Sequence, residues 1–234
     1  MQEHNKIHNY SSCTVGTGDC RCFEKLTPEQ NAFLDKNSVI INYQKNELLN
    51  KQGGLVSHIL YMEEGLAKVF MSSKKDSLVL KLIPPGNFIG LAASSEKQNV
   101  HQYSSMAYID CRIRQIDVTA FRELIKQNAS FAKDIIDILS ANSVQIYNRF
   151  FCLLNKQSYG RLADIILCLS DRIFMSKEFC LPISRKEIAD LAGMRAETVI
   201  RILKKFSEEN LIKINNKKVK ILDYDRLNQI SETG

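Results

Sequence analysis

Residues 184–212 read SRKEIADLAGMRAETVIRILKKFSEENLI, and this stretch decides the fold. Ser184 followed three residues later by Glu187 is a capping box, so a helix starts at Arg185. Ile188 and Leu191 supply its buried face. Gly193 permits the left-handed corner that a sharp helix–helix turn needs. A second helix is expected from about Ala196 to Glu209, with Val199, Ile202, Leu203 and Phe206 inward and Glu197, Thr198, Arg201 and Lys205 outward. The following LIKINNKKVKILD (211–223) reads as a β-hairpin turning at Asn215-Asn216-Lys217, a basic wing carrying Lys217 and Lys218. Two helices at a corner plus a wing make a winged helix-turn-helix, whose second helix enters the DNA major groove. Glu197 and Arg201 stand four apart on the exposed face. Two readings fit them equally: a surface ion pair worth about 0.2–0.5 kcal/mol, or base recognition, arginine to guanine and glutamate to the cytosine amino group.

Upstream, residues 158–176 predict a helix, followed by a short strand, FCLPI. Residues 118–154 contain no Gly or Pro. Their apolar residues follow 3–4 spacing from Ala132 and Ile136 onward, with Leu139, Ser143, Ile146, Phe150 and Leu153 as the seam of a helix that pairs with a second subunit. The alternative is an amphipathic helix packed on its own domain. Against it, Ile135, Ile138, Tyr147 and Phe151 add apolar surface beyond one seam. From Ser38 to about Ile116, short apolar runs alternate with turn residues in the manner of an all-β roll or sandwich. Thr27-Pro28 starts a short helix over 27–36. The expected organisation is α+β: a cysteine-containing arm (1–22), a β-roll sensor domain (23–125), a dimerisation helix (126–155) and a winged helix-turn-helix domain (156–234).

The chain carries a net charge of +6. From Lys156 onward there are 15 basic and 11 acidic residues, against 17 and 15 before it, so the excess sits in the last third, where an anionic partner would bind. The N-terminus has no apolar core of the secretory kind, and no stretch is apolar enough to span a membrane; a cytoplasmic protein with no membrane partner is the expectation. Seven cysteines, an odd number, in a reducing compartment point to buried, metal-binding or redox-active thiols. Cys152, Cys168 and Cys180 stand in apolar contexts and read as core, and His58 reads as a structural strand residue.

The stretch RKEIADLAGMRAETVIRILKKF resembles the helix-turn-helix of the CRP/FNR family of bacterial regulators, through Glu187-Ile188-Ala189, Gly193 and Glu197-Thr198-Val199-Ile200-Arg201-Ile202-Leu203. The likeness extends upstream: PPGNFIG (84–90) is similar to the family's glycine turn, and CRIRQIDVTAFREL (111–124) to the strand leading into the dimer helix. The resemblance implies a cyclic-nucleotide-binding-like roll, a coiled-coil homodimer, double-stranded DNA as partner and RNA polymerase as a second one. It places Glu197 and Arg201 at base-reading positions, within a DNA-contacting set of Arg195, Ala196, Thr198, Ile200 and Lys205 from the helix and Lys217 and Lys218 from the wing.

The resemblance also frames the effector. Cyclic-nucleotide binders in the family hold ribose with a glutamate after the roll's glycine and phosphate with an arginine. Here Gly90 precedes Leu91, Ala92 and Ala93, and His101 or Gln102 stands near the arginine's place, so cyclic AMP is not expected. The oxygen-sensing branch binds a [4Fe–4S] cluster through N-terminal cysteines and one on a later strand. Cys13, Cys20, Cys22 and Cys111 are the corresponding candidates, with C-x6-C-x1-C replacing the branch's C-x2-C-x5-C. Unrelated thiols, haem and direct thiol oxidation remain open beside the cluster. The expected function is a DNA-binding regulator responding to redox, oxygen or nitrosative signals. The rivals are a cyclic-nucleotide-responsive regulator and a thiol-based redox enzyme using Cys20 and Cys22. The enzyme is disfavoured because no C-x-x-C, phosphate loop or Ser/His/Asp arrangement accompanies those thiols.

Overall fold

A computed structural model describes residues 21–72 and 77–234; Cys13 and Cys20 lie outside the described residues. The chain forms two compact units, one running to Val144 and one taking in Gln145–Gly234.

In the first unit, helix α1 (Pro28–Lys36) starts at a reciprocal cap: the Gln30 amide donates to Thr27 Oγ1 and the Thr27 amide to Gln30 Oε1. Strands β1 (Ser38–Tyr43), β2 (Leu48–Asn50), β3 (His58–Glu64), β4 (Ala67–Ser72), β5 (Ser77–Ile83), β6 (Phe88–Ile89), β7 (Ser104–Ala107) and β8 (Cys111–Asp117) follow. They form two antiparallel sheets, ordered β1-β8-β3-β6 and β2-β7-β4-β5. Leu60, Met62, Val69, Ile83, Ile89, Ala107 and Ile113 fill the space between them. A second apolar cluster, including Leu34, Ile59, Ile116, Phe121, Leu124 and Phe131, packs the outer helices onto the β3–β8 sheet.

The Gly- and Pro-free segment is broken once. Helix α2 (Val118–Gln127) starts at Asp117, which accepts from the Thr119 and Ala120 amides, and ends at Asn128. The Asn128 backbone is extended, and its Oδ1 accepts the Phe131 amide at 2.9 Å, so one asparagine closes α2 and caps α3 (Ala129–Asn155). The residues of the expected seam differ in exposure. Leu139 packs against the sensor's apolar cluster and Leu153 is half-buried, while Ser143, Ile146 and Phe150 are exposed. The outward stripe is Ile136, Ser140, Ser143, Tyr147, Phe150 and Leu154, flanked by Val144, Ile146 and Phe151. The reason is the breadth of apolar surface: with residues on both sides of the helix, spacing alone does not say which side the roll takes.

The second unit begins with the last three turns of α3. Helix α4 (Ser158–Cys168) runs on into a π-helical turn over Leu169–Ile173. Strand β9 (Glu178–Cys180), helices α5 (Arg185–Ala192) and α6 (Ala196–Glu208), the hairpin β10 (Ile212–Asn215) and β11 (Lys218–Ile221), and helix α7 (Tyr224–Thr233) complete it. The sheet order is β10-β11-β9, so the FCLPI strand lies against the wing hairpin. Cys152 and Cys168 are buried as expected, Cys168 as part of a disulfide, but Cys180, on the short outer strand β9, is exposed.

Candidate nucleic-acid interface and sensor site

The helix-turn-helix is built as its residues require. Ser184 Oγ accepts the Glu187 amide at 3.2 Å and Glu187 accepts the Ser184 amide at 2.6 Å, closing the capping box. At the corner Gly193 has φ of 60°, the left-handed region, and its amide donates to Ala189 O. Val199, Ile202, Leu203 and Phe206 are buried, with Ile188 and Leu191 facing them from α5.

The opposite face of α6 is open: Arg195, Glu197, Ile200, Arg201 and Lys205 are exposed, and Ala196 and Thr198 are half-buried. Among the described residues neither Glu197 nor Arg201 has an ion-pair partner, although the neighbouring pairs Lys204–Glu208 (3.7 Å) and Lys205–Glu209 (3.9 Å) are made. The surface ion-pair reading of Glu197 and Arg201 is therefore not realised, and both side chains are free to meet base edges. Lys205 is partly engaged, its Nζ lying 5.1 Å from the centroid of the Tyr159 ring.

The wing turns at Asn216, with φ of 54°, a conformation asparagine tolerates. Its two lysines differ. Lys217 is exposed with no ion-pair partner among the described residues. Lys218 is paired with Glu178, which also holds Lys220 at 3.3 Å. Hydrogen bonds from Lys218 and Lys220 hold the Glu178 carboxyl below its usual range, and Glu178 in turn raises Lys218. The Glu178 partner was not legible in sequence, because it reaches Lys218 across the β9–β11 pairing, where Cys180 faces Lys218 and Glu178 faces Lys220.

In the sensor roll, Gly90 has φ of 89° and opens a short 3-10 turn over Leu91–Ser94. Its amide donates to Tyr103 Oη at 3.0 Å, and burial raises the Tyr103 phenol. His101 is half-buried beside Gly90, and burial lowers its imidazole. On the other sheet Lys81 donates to Asn142 of α3; burial pushes its ammonium down to about 8, with no carboxylate acting to raise it.

The cyclic nucleotide-binding domain model matches residues 40–128, and the Crp-like helix-turn-helix domain model matches residues 160–230. The chain belongs to the CRP/FNR family of transcription regulators. It is 25% identical over 241 residues to Electron transport regulator A of Shewanella oneidensis, covering 98% of this chain and 96% of that one. It is 24% identical to the Anaerobic regulatory protein of Haemophilus influenzae, covering 100% and 94%. Among solved structures, FixK2 from Bradyrhizobium japonicum shares the fold, with a TM-score of 0.77 at 17% identity over 84% of this chain and 98% of that one. The family consists of DNA-binding regulators rather than enzymes.

The buried Leu91 follows Gly90 instead of an acid. The thiols of the described residues do not assemble into a cluster site. Cys22 is fully buried in the outer apolar cluster and is disulfide-bonded. Cys111 belongs to the inner cluster, donates to Ile109 O at 3.1 Å and to Leu66 O at 3.4 Å, and has its thiol pushed up by burial. No three His, Cys, Asp or Glu side chains among the described residues converge on a metal position. Of the four candidate cluster ligands, Cys13 and Cys20 lie outside the described residues, and Cys22 and Cys111 belong to separate apolar clusters. His58 Nδ1 is hydrogen-bonded to Ser57 Oγ at 2.9 Å. No helix among the described residues is long and apolar enough to cross a membrane.

Proposed function

We propose that the protein acts as a homodimer on an inverted-repeat DNA site, with Arg201 reading guanine, Glu197 reading cytosine and Ile200 meeting a thymine methyl group in each half-site. The observation that carries this reading is the unpaired, outward placement of Glu197 and Arg201 on α6. The exposed apolar stripe of α3 supports the dimer: Tyr147, Phe150 and Leu154 are each at least 65% exposed, more apolar surface than a lone helix leaves in water. Lys217 supplies a phosphate contact from the wing, RNA polymerase is the further partner, and the protein works in the cytoplasm, where its DNA is.

The signal is a redox, oxygen or nitrosative one rather than a cyclic nucleotide. The names of the relatives from Shewanella oneidensis and Haemophilus influenzae support this, as do the missing acid and arginine of the roll. A [4Fe–4S] cluster on Cys13, Cys20, Cys22 and Cys111 and direct thiol oxidation are the two readings of these cysteines, and the iron and sulfide content of anaerobically purified protein distinguishes them. A spacing series tests the dimeric reading: half-sites one helical turn apart, about 34–36 Å, are bound cooperatively, and five inserted base pairs, which turn one half-site to the opposite face, abolish cooperative binding. Equal affinity at both spacings contradicts a rigid two-fold dimer.

A further inference from the structure

Three cations and one carboxylate lie close together inside the second unit. Arg149, on the last turns of α3, is 5% exposed, and its Nη2 donates to Leu191 O at the end of α5. Lys156 Nζ lies 2.7 Å from Asp164 Oδ2, both nearly buried, and the Cys152 thiol donates to the same oxygen at 3.6 Å. Arg161 donates to Leu153 O (3.2 Å), Lys156 O (3.1 Å) and Gly193 O (3.5 Å), tying the end of α3 to the corner glycine itself. Burial lowers Arg149 to about 10, with Cys152 and Asp164 offsetting part of the effect and Arg161 adding to it. A guanidinium is costly to bury, and it is placed here where its fixed fork can hold a carbonyl.

We propose that Arg149 is a positioning residue for DNA recognition: bonded to the carbonyl of Leu191 and set in the Asp164 charge cluster, it fixes the helix-turn-helix corner to the last turns of α3. These turns carry two faces. One presents Tyr147, Phe150 and Leu154 to the exterior; the other presents Arg149 and Leu153 to the corner. The cluster includes residues upstream of the matched helix-turn-helix segment, which starts at 160, so it is an addition from α3 rather than part of that motif.

The inference rests on the base-reading role of Arg201, and the experiment keeps the two apart. Arg149→Met, Arg149→Lys, Asp164→Asn and Arg201→Ala are titrated in the full chain against an inverted-repeat duplex, its single-base variants and a scrambled duplex. Arg149→Met is expected to lower affinity for the inverted repeat at least about tenfold, the worth of one displaced base contact, and to leave the scrambled duplex unchanged. Arg149→Lys, which keeps the charge and one donor, recovers part of the loss. If Arg149→Met does not fold, Asp164→Asn carries the test with the same expected pattern. An unchanged inverted-repeat affinity, or equal loss on both duplexes, overturns the positioning role. Loss of guanine preference in Arg201→Ala beside an unaffected Arg149→Met overturns the positioning role alone; intact guanine preference in Arg201→Ala overturns the base-reading role on which it rests.

Discussion

Gly193→Ala probes the corner of the helix-turn-helix with a cost that can be worked from the structure. The residue sits at φ of 60°, where an alanine costs about 1–2 kcal/mol relative to glycine. A Cβ there would lie 2.8 Å from Leu153 Cδ2, so Leu153 must leave its rotamer well, at about 0.5–1.5 kcal/mol. The stiffer unfolded chain returns about 0.4–1 kcal/mol. The net expectation is a loss of about 0.5–3 kcal/mol, read by urea unfolding followed by circular dichroism. A double-mutant cycle isolates the contact: in the Gly193→Ala background, Leu153→Ala relieves the collision, so the two losses sum to less than their separate values by about 0.5–1 kcal/mol. A change below about 0.5 kcal/mol for Gly193→Ala, or strict additivity in the cycle, refutes this account of the corner.

Other substitutions follow from the same geometry. Lys81 is charged at neutral pH in both folded and unfolded states, but with its folded pKa at about 8 the folded state disfavours the proton; stability should rise as pH goes from about 8 to 10.5, where the unfolded chain still holds the proton. Lys81→Met should remove that rise and stabilise the protein at pH 7 by about 1–2 kcal/mol, the burial cost less the unmet Asn142 carbonyl; a pH series of melts compares the two. Phe150→Asp places like charges at a shared seam and should yield a monomer in sedimentation, whereas an unaltered dimer places the interface elsewhere. Lys217→Ala should shallow the salt dependence of DNA binding by about 0.9 in slope per subunit, and Lys218→Ala by less, because Glu178 already holds that ammonium; equal slopes would show that the pair opens on DNA.

The parts of this fold legible in sequence were those with local causes. Ser184 and Glu187 announce α5, Gly193 announces the corner, and the 3–4 spacing of Val199, Ile202, Leu203 and Phe206 fixes which face of α6 is buried. What was not legible depends on partners far along the chain. Which apolar residues of α3 stay open was not legible, because Leu139 is taken by the roll and Leu153 by the corner, and spacing does not distinguish these from Tyr147 and Leu154. Lys218 reads as a free wing cation until β9 brings Glu178 beside it. Cys180 reads as core in FCLPI but sits exposed on a three-residue strand. Arg149 and Asp164 left one signal, each being a lone charge in an apolar helical run, YNRFFCLL and LADIILCL, and such charges are buried only with partners. Tyr103 left none, since its role depends on the chain folding back to bring Gly90 within reach of its hydroxyl.

On the proposed reading, Arg201 reads a base. The direct measurement is the affinity of wild type and Arg201→Ala for an inverted repeat and for each single-base variant at the guanine, at fixed salt. Wild type should discriminate against the wrong base by about 1–3 kcal/mol. Arg201→Ala should lose about the same on the guanine-containing site and bind all four variants alike. If Arg201→Ala weakens every variant equally while the guanine preference survives, Arg201 contacts phosphate, and this account of the recognition helix is wrong.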